Sequence, residues 1–153
     1  MLKTKTVTKS KNFTIVGRRE KISLPDYKLE NIEAKVDTGA YSTSIHCKDI
    51  YVERNKENNE QILFFTLPKR KYKLKDDLVL QSKIFTRKKV ISSSGHAELR
   101  YIIKTHLKLG EKELFTDISL ADRSNLKFPI LIGRKVLSKG FLVDVRKINL
   151  TLK

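Results

Sequence analysis

The chain has 153 residues, 39% of them apolar, which is enough for one domain with its own core. No apolar run approaches the roughly 20 residues of a membrane-spanning helix. The apolar runs are rich in β-branched and aromatic residues, which favours a β-rich fold. The net charge of +16 favours anionic partners and says nothing about the fold.

The first 12 residues are mostly Lys, Thr and Ser, which predicts a disordered basic tail at 1–12 and a single domain over 13–153. No long apolar stretch follows this tail, so it is not typical of a secretory signal. The single cysteine, Cys47, excludes an intrachain disulfide and fits a reducing compartment. We therefore expect a cytoplasmic protein without membrane contacts.

Alternating and apolar segments predict short strands along the first half of the chain. The expected strands are Phe13–Gly17, Arg18–Leu24, Asn31–Val36, Thr43–Val52 and Gln61–Leu67. A turn at Pro25-Asp26 and a polar hairpin tip at Glu53–Glu60 separate some of them.

The second half opens with Lys69–Gln81, which is rich in Lys and Asp and is interpreted as a surface insertion. Alternation over Ile84–Leu120 predicts a three-stranded antiparallel meander, with its first turn at the small, polar Ser92–His96. The remaining expected elements are a buried strand at Phe128–Gly133, a short helix at Arg134–Lys139, and strands at Phe141–Val145 and Lys147–Leu152.

The strand that ends at Val36 leads into Asp37-Thr38-Gly39-Ala40. An acid at a strand end, followed by a hydroxyl and a glycine, can build a site, because the hydroxyl bonds backbone and glycine permits close approach. The same residues also fit an ordinary Asx-type turn. About ninety residues later, Ile130-Leu131-Ile132-Gly133-Arg134 runs into the predicted helix.

These two motifs together resemble the retropepsin-like aspartic proteases, and more specifically a bacterial retropepsin-like family described as ATP-dependent zinc proteases. The other matching pieces are Val16–Glu20, Leu24-Pro25, Ser42–His46, Ser92–Gly95 with Glu98 and Arg100, and Asp122-Arg123. The resemblance covers about Phe13–Val145. It implies an all-β fold, a single acid-protease β-barrel domain with one short C-terminal helix, and aspartic endopeptidase activity.

The chemistry implied by the resemblance uses a water activated between two carboxylates that share one proton. Asp-Thr-Gly occurs once in the chain, so the second carboxylate is expected from Asp37 of another copy in a homodimer. Thr38 and Gly39 complete the implied catalytic motif. The implied substrate-binding residues are Ala40, Ser93, Ser94, Gly95, Gly133 and Arg134, with Ser92–Glu98 as a flap over an extended peptide.

The chain departs from the retroviral pattern after Asp-Thr-Gly. Retroviral members carry an acid there that pairs with the arginine of the second motif, whereas this chain has Tyr41–Ser44. Arg134 is therefore expected to pair with Asp122 or Asp144. The departure leaves open an alternative function, a catalytically inactive retropepsin-like module that binds acidic proteins or nucleic acid.

The candidate zinc ligands are His46, Cys47, His96 and His106, and they lack the spacing of known zinc motifs. His46 and Cys47 are adjacent on a strand and are expected to point to opposite faces. We expect no metal and no cofactor, since no glycine-rich loop is present to cradle ATP phosphates. The expected substrate is a protein or peptide, and the cationic chain favours an acidic one.

Overall fold

The computed structural model describes residues 12–91, 95–122 and 124–152, so the predicted tail, apart from Asn12, lies outside the described residues. The strands are β1 Thr14–Val16, β2 Arg19–Leu24, β3 Leu29–Val36, β4 Thr43–His46, β5 Lys48–Arg54, β6 Gln61–Leu67, β7 Leu78–Ser82, β8 Phe85–Ile91, β9 Ala97–Leu109, β10 Lys112–Ala121, β11 Ile130–Ile132 and β12 Phe141–Val143. Between them lie a 3-10 turn at Pro25–Tyr27 and two short helices, α1 Lys69–Tyr72 and α2 Arg134–Leu137.

Six strands form a closed barrel in the order β10-β4-β11-β3-β2-β9, which closes because β9 pairs with β10. Strand β8 extends this barrel by pairing antiparallel with β9. The predicted all-β acid-protease barrel is confirmed. The predicted meander over Ile84–Leu120 is also confirmed as β8, β9 and β10. Among the described residues, no helix is long and apolar enough to cross a membrane.

Strand β11 lies in the barrel wall between β3 and β4, and all three of its residues are buried, as its continuous apolar sequence predicts. It pairs parallel with β3 and antiparallel with β4. The parallel register places Ile132 opposite Val36. The residues that follow these two strands, Gly133 and Asp37, therefore leave the sheet side by side.

The barrel encloses a core of large apolar side chains. Fully buried members include Ile22, Leu24, Ile45, Ile103, Leu107, Leu109, Ile118, Leu120 and Ile130. Burial of each such side chain contributes about 1.5–3 kcal/mol relative to exposure. Strands β3 and β11, which border the Asp37 turn, both contribute buried residues to this core, so the turn is anchored to well-packed strands.

The predicted surface insertion at Lys69–Gln81 has regular structure. Its first residues form α1, where Tyr72 is buried and donates its hydroxyl hydrogen to the carbonyl of His46. Its end belongs to β7, which pairs with β6 in a second sheet, β5-β6-β7. The scattered apolar residues of this stretch acquire partners only from other strands, which the local pattern could not show.

The predicted strand at Lys147–Leu152 is wrong. This segment is irregular, and Asn149 adopts the left-handed conformation with a φ of 52°. The backbone N–H groups of Leu150 and Thr151 donate to the buried carboxylate of Glu20 rather than to a neighbouring strand. The predicted Phe141–Val145 strand is present as β12, which pairs in parallel with β1.

Candidate active site

Asp37 stands at the end of β3, where the chain leaves the barrel. Its backbone N–H donates to the carbonyl of Ile132 at 2.9 Å, which ties the start of the turn to β11. The side chain is half-buried, and its Oδ1 accepts the N–H of Gly39 at 2.9 Å. No hydrogen bond from the described residues reaches its Oδ2. The carboxylate is therefore oriented by its own turn and keeps one oxygen for another partner.

Residues 37–40 form an Asx-type turn, and the same hydrogen bonds orient the Asp37 carboxylate, so the two interpretations of this motif are compatible. The Gly39 N–H bond closes the Asx turn, and the Ala40 N–H donates to the Asp37 carbonyl at 3.3 Å. Thr38 and Gly39 are exposed at the tip, and Ala40 is partly buried. The turn is thus the device that presents the carboxylate at the surface.

Gly133 holds the second motif against this turn. A Cβ on Gly133 would lie 2.5 Å from the carbonyl oxygens of both Tyr41 and Ser42, so only glycine fits. Its N–H donates to the Thr43 hydroxyl at 3.1 Å. The next N–H, from Arg134, donates to the Ala40 carbonyl at 2.8 Å. These contacts bring the two motifs together.

The Arg134 side chain has a different partner from the two acids expected. Its Nη1 donates to the Thr38 carbonyl at 3.0 Å, and its guanidinium lies 5.9 Å from the centre of the Tyr41 ring. Asp144 instead pairs with Arg146 through Oδ2 at 2.9 Å. Asp122 accepts the N–H of Ser124 and lies near His46. A carbonyl and an aromatic face therefore replace the carboxylate of the retroviral pattern around Arg134.

The segment expected to act as a flap, Ser92–Glu98, lies where β8 is followed by β9. Of its predicted substrate-binding residues, Ser93 and Ser94 lie outside the described residues, while Gly95 is exposed with a φ of 86°. A small cavity of about 100 Å³ lies between the stem of the β8–β9 hairpin and the segment that follows the Asp37 turn. Lys88 and Ile102 of the stem line this cavity together with Tyr41, Ser42 and Thr43. The stem is therefore positioned beside the loop that follows Asp-Thr-Gly.

A basic cleft of about 360 Å³ lies at the end of β3. Its lining residues are Arg18, Arg19, Lys35, Val36, Leu126, Lys127, Phe128 and Ile130. Val36 precedes Asp37 directly, so the cleft begins one residue from the candidate catalytic group. Arg19 and Lys127 place their charges 5.9 and 5.7 Å from the Phe128 ring. The cleft thus combines four cations with an apolar floor.

No site role is expected for these cations from the sequence alone. Two of them stand in the matched segment Val16–Glu20, and Lys35 is on the outward face of β3. Lys127 and Phe128 come from the loop before β11. Only the parallel pairing of β3 with β11 places the two groups together. A larger cavity of about 830 Å³ lies between the β2–β3 and β9–β10 turns, and lysines and glutamates both line it.

The candidate zinc ligands are dispersed. Cys47 is buried, and burial raises the pKa of its thiol to about 12. His46 is also buried, with its Nδ1 3.6 Å from Asp122 Oδ1. His96 is exposed at the hairpin. Among the described residues, no group of three or more His, Cys, Asp and Glu is close enough to hold a metal ion.

His106 makes a local pair with Asp26 instead. Its Nδ1 lies 2.9 Å from Asp26 Oδ2, and its backbone N–H donates to the same oxygen at 3.0 Å. Thr105 adds its hydroxyl at 2.8 Å. The hydrogen bonds from His106, and then that from Thr105, lower the pKa of the Asp26 carboxyl to about 2. The pair joins the 3-10 turn to β9, away from Asp37.

Comparison with known proteins agrees with this geometry. The chain matches, over residues 15–152, the model of a family described as RimB-like, retropepsin-like aspartic endopeptidase RimB. A crystal structure of Lpg0085, a protein of unknown function from Legionella pneumophila, superimposes with a TM-score of 0.72 at 27% identity. That likeness covers 90% of this chain and 98% of the Legionella chain.

Curated relatives carry a different name. A protein from Shewanella pealeana named "Probable alpha-L-glutamate ligase" is 31% identical over 135 residues, or 88% of this chain. A relative from Parasynechococcus marenigrum with the same name is 32% identical over 134 residues. The chain spans 29% and 28% of the lengths of these two relatives. The fold, the two paired motifs and the match over residues 15–152 together show that the chain belongs to the RimB-like family of retropepsin-like proteins.

Proposed function

We propose that the protein is an aspartic endopeptidase that works as a homodimer, with Asp37 of each copy supplying one carboxylate. The observation that carries the proposal is the placement of Asp37 at the end of β3, in a turn whose following residues are bonded to the Gly133–Arg134 segment. Asp37 Oδ1 accepts the N–H of Gly39 within the turn, and among the described residues Oδ2 has no donor, which leaves it available to a second carboxylate or a water. Residues Thr38 and Gly39 are exposed where a second copy would meet the first.

The proposed mechanism needs both carboxylates. Two acids that share one proton around a water cannot both ionise easily, so the pair titrates as a unit. The ionised Asp37 takes a proton from the water, and the protonated Asp37 donates to the scissile carbonyl. The water oxygen forms the new C–O bond as these protons move. The Asp37 that took the water proton then donates it to the leaving amine nitrogen as the C–N bond breaks, and the other Asp37 recovers its proton from the intermediate as the carboxyl product forms. Backbone groups of Gly39 and Ala40, with the flap residues Ser93, Ser94 and Gly95, would hold the extended peptide.

The proposed substrates are acidic peptides or proteins. The basic cleft beside Val36 is lined by four cations, two of which, Arg19 and Lys127, lie over the Phe128 ring, and this suits a carboxylate side chain next to the scissile bond. The curated relatives are named for a glutamate ligase, and this chain corresponds to less than a third of them. A peptide rich in glutamate is therefore the substrate that we propose first.

Peptide cleavage tests the proposed reaction. We expect the wild type to cleave a glutamate-rich peptide and Asp37→Asn to lose about 10²–10⁴-fold in kcat. Asp76→Asn, which neutralises an exposed acid on the α1–β7 loop, is the control and is expected to cleave normally. Equal cleavage by the wild type and Asp37→Asn would refute the assigned role. Cleavage at protein concentrations at which sedimentation shows only monomer would refute the dimer.

The basic cleft predicts charge selectivity. We expect Lys35→Gln to raise KM for the glutamate-rich peptide while leaving KM for its glutamine counterpart unchanged, because only the charged side chain pairs with Lys35. Lys56→Gln, on the exposed turn between β5 and β6, removes an equal charge outside the cleft and is the matched control. Equal KM changes for both peptides would contradict the assignment of acidic substrates to the cleft.

A second candidate is a catalytically inactive module that binds acidic proteins or nucleic acid. The observation that favours it is Tyr41, which replaces the usual acid and stacks near Arg134. This alternative predicts tight binding of acidic ligands by a strict monomer without cleavage. Nucleic acid as the ligand predicts an affinity that falls steeply with salt.

A further inference from the structure

Glu20 is a buried carboxylate that the proposed chemistry does not use. It is 1% exposed, and every hydrogen bond that the described residues give it comes from a neutral group. Oε2 accepts the N–H groups of Gly17 at 2.7 Å and Leu150 at 2.8 Å. Oε1 accepts the N–H of Thr151 at 3.0 Å and its hydroxyl at 2.8 Å. A buried acid is costly, and four donors offset that cost here.

Three of those four donors belong to the C-terminal strap, which we define as residues 144–152. The strap lies against the Gly17–Glu20 segment along its length. Asn149 donates its N–H to the Arg19 carbonyl at 3.0 Å, and the carbonyl of Lys147 accepts the N–H of Arg18 at 2.8 Å. A Cβ on Gly17 would lie 2.2 Å from that same Lys147 oxygen. Glu20 thus binds the end of the C-terminal strap, at Leu150 and Thr151, next to its close contact with Gly17–Arg19.

The strap in turn holds the side chain of Arg18. Its Nη1 donates to the carbonyls of Val145 at 3.4 Å and Arg146 at 3.2 Å. The Arg18 backbone carbonyl accepts the N–H of Val36, the residue before Asp37, at 2.9 Å. Arg18 also lines the basic cleft. A continuous set of contacts therefore runs from Glu20 through the strap to a cation that lines the basic cleft.

We propose that Glu20 is a positioning residue, which fixes the C-terminal strap so that the strap's carbonyls orient Arg18 in the basic cleft toward an anionic side chain of the bound peptide. This proposal takes the acidic peptide from the proposed function, and it does not require that the peptide be cleaved. Free Arg side chains lose considerable rotamer freedom when they bind a ligand. An Arg18 already held by two carbonyls loses less, which strengthens its contact with a carboxylate.

The test measures binding of a fluorescent glutamate-rich peptide and its glutamine counterpart by anisotropy, in the Asp37→Asn background so that cleavage does not interfere. In Glu20→Gln, an amide NH₂ replaces one acceptor oxygen and meets two donors. We expect this variant to weaken binding of the glutamate-rich peptide about tenfold, the equivalent of one lost charge-assisted hydrogen bond, and to leave the glutamine peptide unchanged. Thr151→Val removes one donor and is expected to give a smaller effect of the same kind.

A double-mutant cycle separates positioning from a general structural role. In an Arg18→Gln background, Glu20→Gln is expected to add nothing to the loss of affinity, because its effect passes through Arg18. Glu33→Gln makes the same change of charge on neighbouring β3, where Glu33 pairs with Lys73, and is expected to bind both peptides as before.

Equal weakening of both peptides by Glu20→Gln, additive effects of the Arg18 and Glu20 variants, or no binding of the glutamate-rich peptide would each overturn the proposal. Hydrogen exchange at Leu150 and Thr151 provides an independent check, and unchanged protection in Glu20→Gln would also overturn it. Binding that follows these expectations in a protein that cleaves no peptide would support the positioning role and refute only the peptidase.

Discussion

Gly133→Ala tests whether the close contact between the two motifs holds the candidate site together. The new Cβ would lie 2.5 Å from two backbone oxygens, those of Tyr41 and Ser42, and 2.7 Å from the Ser42 carbonyl carbon. These are main-chain atoms of a loop tied to the barrel, so they cannot rotate away as a side-chain end would. The backbone must separate, and overpacking of this kind costs about 1–3 kcal/mol.

The contacts broken by that separation set the expected size of the effect. Moving Gly133 away from the loop stretches its bond to Thr43 and the Arg134 N–H bond to Ala40, and each such bond contributes about 0.5–1.5 kcal/mol. We therefore expect Gly133→Ala to lower the free energy of unfolding by about 2–6 kcal/mol. For a chain of this size the melting temperature would fall by about 4–24 °C.

Urea denaturation followed by circular dichroism measures the change, with Gly95→Ala as the matched control. Gly95 lies at the hairpin turn with a φ of 86°, and no atom of the described residues, its chain neighbours aside, lies within 4 Å of where its Cβ would be. Its alanine variant is therefore expected to carry only a backbone penalty of about 1–2 kcal/mol. A Gly133→Ala protein with a free energy of unfolding within about 0.5 kcal/mol of wild type would refute the close-packing argument. We also expect this variant to lose peptide cleavage at temperatures at which it remains folded.

Three further predictions follow from charge and burial. Burial raises the pKa of Cys47 to about 12, so Ellman's reagent at pH 8 is expected to label it only after denaturation; rapid labelling of the native protein would contradict this. The pKa of Asp26 falls from 3.8 to about 2 on folding, so its contribution to stability is present above pH 3.8 and is lost as the pH drops toward 2. Asp26→Asn is expected to flatten that part of an acid-unfolding curve. An unchanged curve would argue against the His106 pair. Binding of a glutamate-rich peptide to the basic cleft is expected to weaken between about 0.05 and 0.5 M salt, and salt-independent binding would argue against ion pairing there.

Local sequence patterns determined most of the strands. Period-two alternation located β3 and the long meander because one face of each strand is buried and the other is wet. The continuous apolar run at Ile130–Ile132 identified β11 because both faces of this strand are buried. Patterns of this kind depend only on which side chains avoid water, so they can be recognised before any neighbour is known.

The C-terminal segment shows where such patterns fail. Ile148, Leu150 and Leu152 alternate as a strand would, and the chain instead donates its backbone hydrogen bonds to Glu20. The carboxylate is 130 residues from Leu150 in the chain, so no local rule could indicate it. The Arg134 side chain is a similar case. It donates to the backbone carbonyl of Thr38, and every residue type has such a carbonyl, so the sequence does not indicate this partner.

By itself, the sequence determined that Asp37 ends a half-buried strand and that Gly133-Arg134 follows a buried one, and through resemblance it indicated the family. Only the tertiary structure decided that these two strands pair in parallel with Val36 opposite Ile132, and that Arg18, Arg19, Lys35 and Lys127 surround one cleft. The physical reason is that hydrophobic alternation is encoded within each segment, whereas pairing register and the convergence of charges arise from contacts between segments far apart in the chain.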